Sequence, residues 1–198
     1  LINVFNKFNK KEGLRMSQYT FSGGIHPYDG KALSKDKPVK EVLPKGLLVF
    51  PLSQHIGAPA QPVVAVGDSV KAGQLIAEAS GFVSANIFSS VSGTVKAIEP
   101  HRVPTGAMVN SIVIENDGKY DEAEFAPAKK IEEMTGEEIV AAVRNAGVVG
   151  MGGAGFPTAV KLSPKNPEKI DYIIANCAEC EPYLTSDYRR MIENPELV

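Results

Sequence analysis

A glycine-rich segment in the last third of the chain has the composition of an anion-binding loop. Four glycines leave its backbone without side chains: Gly150, Gly152, Gly153 and Gly155. Such a run lets backbone N–H groups approach a bound anion closely. Pro157 suits the first turn of a following helix, whose positive end would face the loop, and Lys161 adds a positive charge. The segment therefore predicts a phosphate-binding loop, with a flexible hinge as the alternative.

The spacing of Gly150, Gly152 and Gly155 also satisfies the G-x-G-x-x-G pattern of dinucleotide-binding folds. That pattern is diagnostic only where it follows a strand and opens a helix. Here it follows a predicted helix, so the usual βαβ arrangement around a pyrophosphate is not expected.

A second group of polar residues follows an apolar run. Residues 168–176 predict a buried strand that ends at Asn176, and Cys177, Glu179, Cys180 and Glu181 come directly after it. Ligands of open α/β sheets bind at the carboxyl ends of strands. These polar side chains are therefore candidates for a second wall of the same site.

The chain has two cysteines and three histidines, and neither set predicts a metal centre. Cys177 and Cys180 form a C-x-x-C pair, which leaves a redox or metal role open, but an all-cysteine [4Fe–4S] cluster needs four thiolates. Packing beside a ligand is the preferred interpretation of the pair. The histidines are isolated in sequence, so structural roles are expected for His26, His55 and His101.

A helix leads into the glycine-rich segment. Thr135 and Glu138 have the spacing of a capping box, and apolar residues repeat behind them at Ile139, Val143 and Ala146. The helix is expected to stop at Gly147.

The first half of the chain is β in character. Short runs rich in β-branched and apolar residues occupy residues 47–50, 63–66, 74–77, 93–98 and 111–114, separated by turn residues. This spacing predicts a small barrel or sandwich. A charged, proline-containing stretch at 119–133 indicates a connection, and the domain boundary is expected near residue 125.

Composition excludes several functional classes. The 198 residues carry a formal net charge of -2, so polyanion binding, and with it nucleic acid, is not expected. The longest apolar run covers residues 47–52, far short of the roughly 20 residues that span a bilayer. Residues 1–15 have no secretory signal pattern and are interpreted as a leader or cloning remnant ahead of a natural start at Met16.

Residues 62–98 resemble the biotinyl/lipoyl type of barrel-sandwich hybrid domain, including the Gly67–Asp68 turn. In carrier domains of this type, an exposed hairpin presents the lysine that carries the prosthetic group. Gly81 stands at that position here, and no lysine occurs between Lys71 and Lys96. A carrier function is therefore excluded, and the fold is expected to serve packing or docking.

The two polar segments together carry a family resemblance. Residues 150–158 with Lys161, and residues 176–182, resemble the FMN- and NADH-binding segment of the flavoprotein subunit of respiratory complex I. Joined to a lipoyl-like domain with the motifs at 21–27 and 54–59, the sequence is more similar to the C-type subunit family of Rnf electron transport complexes. The resemblance covers residues 19–198, and longer members of that family imply that this is an N-terminal portion.

The resemblance implies an NADH-oxidising, FMN-binding subunit. It implies that Lys161 and Asn176 hydrogen-bond the flavin, that Phe156 lies near the NADH adenine, and that Glu179 and Glu181 shape the nicotinamide side. It places the glycines of the loop around the flavin phosphate and ring: Gly150, Gly152, Gly153 and Gly155. No catalytic acid, base or nucleophile and no metal ligand is assigned within these residues.

The resemblance also implies partners outside the chain. Electrons would leave through [4Fe–4S] clusters beyond residue 198, and the other subunits of a membrane-associated, ion-translocating complex would be partners. The subunit would be peripheral, on the cytoplasmic side of the membrane, and this portion alone is expected to be inactive.

The expected fold class is α+β. Residues 16–125 would form a lipoyl-like β domain without a modifiable lysine, and residues 126–198 the first part of an α/β FMN- and NADH-binding domain. Two alternatives remain open: a non-catalytic module that docks other subunits, and the A-type subunit of a sodium-pumping NADH:quinone reductase.

Overall fold

A computed structural model describes residues 27–125, 127, 129–153, 155–179 and 181–197. The predicted leader at 1–15, the start at Met16, His26 and Cys180 lie outside the described residues.

Seven antiparallel strands form a two-sheet sandwich. One sheet has the order β1-β7-β6-β3 and the other the order β2-β4-β5. The strands are β1 (Leu47–Pro51), β2 (Gln61–Pro62), β3 (Ser69–Val70), β4 (Leu75–Glu78), β5 (Ile87–Phe88), β6 (Gly93–Arg102) and β7 (Met108–Asn116). Short strands joined by tight turns are what the Gly- and Pro-rich first half predicts.

The core lies between the two sheets. In the β1–β7 pair, Phe50 lies opposite Ile112 and Leu48 opposite Ile114, so each strand sends alternate apolar side chains inward. The buried cluster draws side chains from both sheets: Phe50, Leu52, Ala60, Val70, Ile76, Ala77, Ile87, Val91, Val95, Ile112 and Ile114. Truncating a fully buried member such as Ile76 is expected to cost about 2 to 5 kcal/mol.

The predicted turn at Gly67 and Asp68 is confirmed. Gly67 has φ +98°, a conformation that favours glycine, and the Asp68 carboxylate accepts a hydrogen bond from the Ala65 amide at 2.8 Å.

The predicted capping-box helix is also confirmed, as α1 (Gly136–Asn145). The Thr135 hydroxyl accepts from the Glu138 amide at 3.2 Å, and the Glu138 carboxylate accepts from the Thr135 amide at 2.7 Å. The helix ends where Gly147 takes φ +64°. Two further helices are short: α2 (Thr158–Lys161) and α3 (Ser186–Glu193).

The chain divides into two compact units. The larger unit is Glu41–Ile174, and the smaller unit joins the residues up to Lys40 with those from Ala175 onward. Within the smaller unit, Lys31 Nζ donates to the Leu184 carbonyl at 2.8 Å, and the Val39 amide donates to Glu193 Oε1 at 3.0 Å. Neither unit begins or ends near residue 125, and a compact unit can contain parts of two domains. The domain boundary near residue 125 therefore stays a prediction.

Two expected strands are wrong. Residues 63–66 are irregular, and the strand of this region is the shorter β2, immediately before them. The strand expected at 168–176 is absent too: residues 168 and 169 end a 3-10 turn (Pro167–Lys169), and residues 170–176 are irregular. Tyr172, Ile173 and Ile174 are between 86% and 93% exposed. A strand needs a neighbour to pair its N–H and C=O groups, and no described residue pairs with this segment.

The mixture of a β sandwich with a few helices confirms the α+β class. Among the residues that the structure describes, no helix is long and apolar enough to cross a membrane.

Candidate functional site

The glycine loop, residues 148–158, is closed at its base by backbone pairing within the larger unit. Val149 forms an antiparallel bridge with Pro157, the Gly150 amide donates to the Phe156 carbonyl at 3.0 Å, and the Thr158 amide donates to Val148 at 2.9 Å. The flexible hinge that was the alternative interpretation does not describe this base, because the two backbone hydrogen bonds of the bridge hold its two sides together.

The tip of the loop presents unpaired donors. Within the described part of the chain, the amides of Met151, Gly152 and Gly153 donate to no other group. Gly153 has φ +57°, and the Met151 side chain is fully exposed. A β-carbon added at Gly152 or Gly153 would meet nothing within 4 Å, so there is open space beside these amides. Consecutive free N–H groups around a left-handed glycine can form a concave anion-binding nest.

The helix after the loop differs from the expectation. Pro157 is the residue before the first helical residue of α2, and α2 has only four residues. A single turn carries little of the macrodipole that a long helix has. Backbone N–H groups of the loop, not the end of a helix, are therefore the chief source of positive potential from the main chain.

Two predicted site residues, Phe156 in the loop and Lys161 just after it, lie together. Lys161 Nζ lies 5.9 Å from the centroid of the half-buried Phe156 ring, in cation–π geometry. The Lys161 side chain is exposed, so its ammonium group can bind an anion from solvent.

A groove of about 670 Å³ runs beside the loop tip within the larger unit. Its lining includes Gln54, His55, Thr105, Val109 and Gly153. This volume falls within the range of about 300–1,000 Å³ that is usual for small-molecule sites. The β sandwich therefore supplies one wall of a groove that reaches the loop tip at Gly153.

Asn176, Glu179 and Glu181 belong to the smaller unit, whereas the glycine loop belongs to the larger one. Asn176 is exposed, and its Oδ1 accepts a hydrogen bond from the Ala178 amide at 3.1 Å. The carbonyl of Glu181 accepts from Lys31 Nζ at 3.1 Å.

The Glu179 carboxylate caps helix α3. It accepts hydrogen bonds from the Asp187 amide at 2.9 Å, from the Tyr188 amide at 3.2 Å and from the Ser186 hydroxyl at 3.2 Å. Burial raises the pKa of Glu179, but these hydrogen bonds and the charge of Lys31 outweigh burial and hold the pKa below its ordinary 4.5. The carboxylate is therefore ionised and fixed in place at neutral pH.

A cavity of about 410 Å³ lies within the smaller unit. Its lining combines Cys177 and Glu179 with Lys31, Lys35 and Tyr188. Sequence reasoning missed both lysines. No short-range signal could have found them, because they reach this segment from the opposite end of the chain.

The contacts of Cys177, His55 and His101 are with neighbouring backbone and carboxylate groups. The Cys177 thiol lies 3.8 Å from the Ala175 carbonyl, and His101 lies 3.3 Å from a Glu99 oxygen. His55 is buried, and its Nε2 accepts from the Ala85 amide at 3.1 Å. Among the described residues, no three His, Cys, Asp or Glu side chains are grouped to hold a metal ion.

Comparison with protein families finds a match in each half of the chain. Residues 19–119 match the RnfC barrel sandwich hybrid domain. Residues 143–198 match the Nuo51 FMN-binding domain. The glycine loop and the smaller unit's Asn176, Glu179 and Glu181 all fall within the second match.

Curated relatives belong to oxidoreductase complexes. The C-type subunit of the proton-translocating ferredoxin:NAD(+) oxidoreductase complex of Clostridium ljungdahlii is 49% identical over 181 residues, which cover 90% of this chain and 39% of the relative. The C-type subunit of the Na(+)-translocating ferredoxin:NAD(+) oxidoreductase complex of Acetobacterium woodii is 43% identical over 180 residues, 90% of this chain and 41% of the relative. This chain thus spans about two fifths of their length.

Proposed function

The chain belongs to the RnfC family, and from that premise we propose that it supplies the phosphate-binding part of an FMN site in an NADH-oxidising subunit. The subunit would belong to a membrane-associated, ion-translocating electron transport complex, as the names of the relatives from Clostridium ljungdahlii and Acetobacterium woodii suggest.

The observation that carries this proposal is the set of unpaired amides at Met151, Gly152 and Gly153. A phosphate monoester offers several acceptor oxygens and about two negative charges, so it can satisfy all three donors at once. Solvent-exposed N–H groups in open space fit such a group without rearrangement of the loop base. The match to an FMN-binding domain over the same residues supports FMN as the phosphate ester.

The other residues of the loop have complementary roles in this proposal. Lys161 would add a charge-assisted hydrogen bond to the phosphate or to the flavin ring. Gly150 and Gly155 would shape the loop beneath the cofactor. Phe156, already beneath the Lys161 ammonium group, would offer its ring to the adenine of NADH.

The second group of residues would contact other parts of the bound molecules. Asn176 would hydrogen-bond the flavin, and its exposed side chain leaves the amide group accessible. Glu179 and Glu181 would shape the nicotinamide side. The hydrogen bonds that fix the Glu179 carboxylate would keep it in a single position there.

Bound FMN would supply the conversion of a two-electron hydride donor, NADH, into single electrons. This chain's residues would bind and orient the cofactor, while [4Fe–4S] clusters held beyond residue 198 would receive the electrons. We place the subunit on the cytoplasmic side of the membrane, where its partners are the other subunits of the complex.

The test is cofactor binding by the full-length subunit. Flavin fluorescence should show FMN bound at least about tenfold more tightly than riboflavin, which lacks the phosphate that the loop amides would bind. Equal affinity for both would contradict the phosphate-loop assignment. Absence of flavin binding would favour the docking module, and absence of iron and sulfide in a flavin-bound subunit would favour the quinone reductase alternative.

A further inference from the structure

We propose that the hairpin between β4 and β5, residues 79–86, is the positioning element of the glycine loop. Through it, the β sandwich would determine how tightly the loop binds phosphate. The inference rests on the proposed function, and it assigns a role in that function to a part of the β sandwich that contains none of the expected flavin-binding residues. All the contacts that carry it lie within the larger unit.

The hairpin holds the start of the loop through Asn86. Asn86 Nδ2 donates to the carbonyl of Asn145, the last residue of α1, at 3.1 Å. Asn86 Oδ1 accepts from the Ala79 amide at 2.9 Å, so one side chain joins both arms of the hairpin to the helix end. A β-carbon added at Gly147 would lie 2.3 Å from the Asn86 carbonyl oxygen, so helix end and hairpin meet at backbone distance.

A second contact strengthens the same junction. The Arg144 guanidinium group lies 5.6 Å from the centroid of the Phe82 ring, and its Nη1 donates to the Phe82 carbonyl at 3.4 Å. Phe82 is next to Gly81, the residue at the expected carrier position. The tip of the hairpin thus contacts the helix that leads into the loop.

The hairpin also holds the end of the loop, through the segment at residues 54–58. A β-carbon at Gly155 would lie 2.8 Å from the Gln54 carbonyl oxygen and 3.3 Å from the His55 Cα. His55 is in turn fixed by the hairpin, because its buried ring accepts from the Ala85 amide.

Two more hydrogen bonds fix this segment on the hairpin. The Ala58 amide donates to the Val83 carbonyl at 3.0 Å, and the Ser84 hydroxyl donates to the Ala58 carbonyl at 2.8 Å. The hairpin therefore supports the glycine loop on both sides of its tip, directly at Gly147, just before the loop, and indirectly at Gly155 within it.

The free amides lie between these two supports along the chain. A β-carbon at Gly152 or Gly153 would touch nothing within 4 Å, so no described group packs on that side of the tip. The loop's own hydrogen bonds, from the Gly150 amide to Phe156 and from the Gly155 amide to Gly152, join the tip to its base. The supports at Gly147 and Gly155 would therefore orient the amides through that base. A change in either support should alter phosphate affinity even where the fold remains intact.

The experiment compares four variants of the full-length subunit by FMN titration and thermal unfolding. Gly155→Ala and Asn86→Asp disturb the supports; aspartate keeps the acceptor for Ala79 but loses the donor to Asn145. Gly118→Ala is the matched control for the first, because Gly118 has φ +75° and an added β-carbon there would meet nothing within 4 Å. Asn116→Asp is the control for the second, because Asn116 Nδ2 joins β7 to the Pro44 carbonyl at 2.7 Å.

The support variants should weaken FMN binding by about tenfold or more, the loss expected when charge-assisted hydrogen bonds are misdirected. The control variants should leave FMN affinity unchanged, even if they lower the unfolding temperature by as much as the support variants do. Should Gly155→Ala fail to fold, Asn86→Asp decides alone. Wild-type FMN affinity in the support variants would overturn this inference and leave the proposed function standing, whereas a wild-type subunit that binds no FMN would overturn both.

Discussion

Glu179 Oε1 accepts a hydrogen bond from the Asp187 amide at 2.9 Å, so a residue expected at the cofactor also holds a helix in place. Its other oxygen accepts from Tyr188, and together they satisfy two of the unpaired N–H groups at the start of α3. A negative charge at a helix N-terminus is favourable. The capping role gives Glu179 a fixed orientation before any ligand is present.

The depressed pKa of Glu179 makes the cap pH-dependent. Its contribution to stability is fully present above the ordinary pKa of 4.5 and is lost as the pH falls through the lower folded-state value. We expect the hydrogen-exchange protection factors of the Asp187 and Tyr188 amides, which are corrected for the pH dependence of intrinsic exchange, to fall in that acidic range. Glu179→Gln should already show faster exchange at pH 7 and little further change from this group on acidification. Equal pH dependence of exchange at these two amides in wild type and variant would contradict the assignment.

Lys161 should matter more for flavin occupancy than Cys177 does. Removing a cation next to the phosphate or flavin removes a charge-assisted hydrogen bond, which weakens binding by about tenfold or more. In the full-length subunit, Lys161→Ala should therefore lose FMN, measured as bound flavin per protein, while Cys177→Ala retains it. Lys165→Ala, which removes an exposed charge nearby in the sequence, is the control for net charge. Equal flavin loss in the Lys161 and Cys177 variants would count against the site.

A cation added at the loop tip should tighten phosphate binding. Met151 is fully exposed beside the free amides, so Met151→Arg adds a charge without disturbing the core. The expected gain in FMN affinity is up to about fivefold, the range of a solvent-exposed ion pair. The gain should disappear at high salt, because exposed charges are screened. Met151→Gln provides the uncharged control, and a gain of the same size in that variant would exclude an electrostatic cause.

Gly30 packs against the ring of Tyr183 within the smaller unit. It has φ +61°, and an added β-carbon would lie 2.2 Å from the ring of Tyr183. We expect Gly30→Ala to destabilise this unit by about 1 to 3 kcal/mol, through backbone strain and displacement of the ring. Faster hydrogen exchange across residues 181–188 would report the effect. Gly46→Ala is the control, because Gly46 also has a positive φ, +76°, but an added β-carbon there would meet nothing within 4 Å. If exchange at residues 181–188 were as fast in Gly46→Ala as in Gly30→Ala, the packing argument would be refuted.

Local signals predicted the elements that depend on local interactions. The capping box of Thr135 and Glu138 and the turn at Gly67 use hydrogen bonds between residues close in sequence, and both are as expected. The short stretch at residues 63–66 has strand-like composition but is irregular. The pairing with β4 is centred on Gln61 and Pro62, and only the Val63 amide extends it, with a hydrogen bond to the Ile76 carbonyl at 3.0 Å. Composition alone does not fix which residues of an apolar run find a partner strand.

Interactions between distant segments could not be predicted. Nothing in the sequence near Gly155 indicates that it packs on Gln54, and nothing near Glu179 indicates Lys31 as a neighbour. The strand expected at 168–176 is wrong for a related reason: its apolar residues are exposed, and no described strand pairs with it. The glycine loop was located from composition, but which of its amides are free depends on the pairing of Val149 with Pro157.

The last prediction concerns the β4–β5 hairpin, which should carry neither lipoate nor biotin. Attachment of either group requires the ε-amine of a lysine, and the sequence offers Gly81 at the expected position. The neighbouring Phe82 also contacts Arg144, so the tip lies against the helix that precedes the glycine loop. Co-expression with a lipoate ligase or a biotin ligase should leave the intact mass of the protein unchanged. A carrier domain treated in the same way supplies the positive control, and a mass increase matching either group would contradict the prediction.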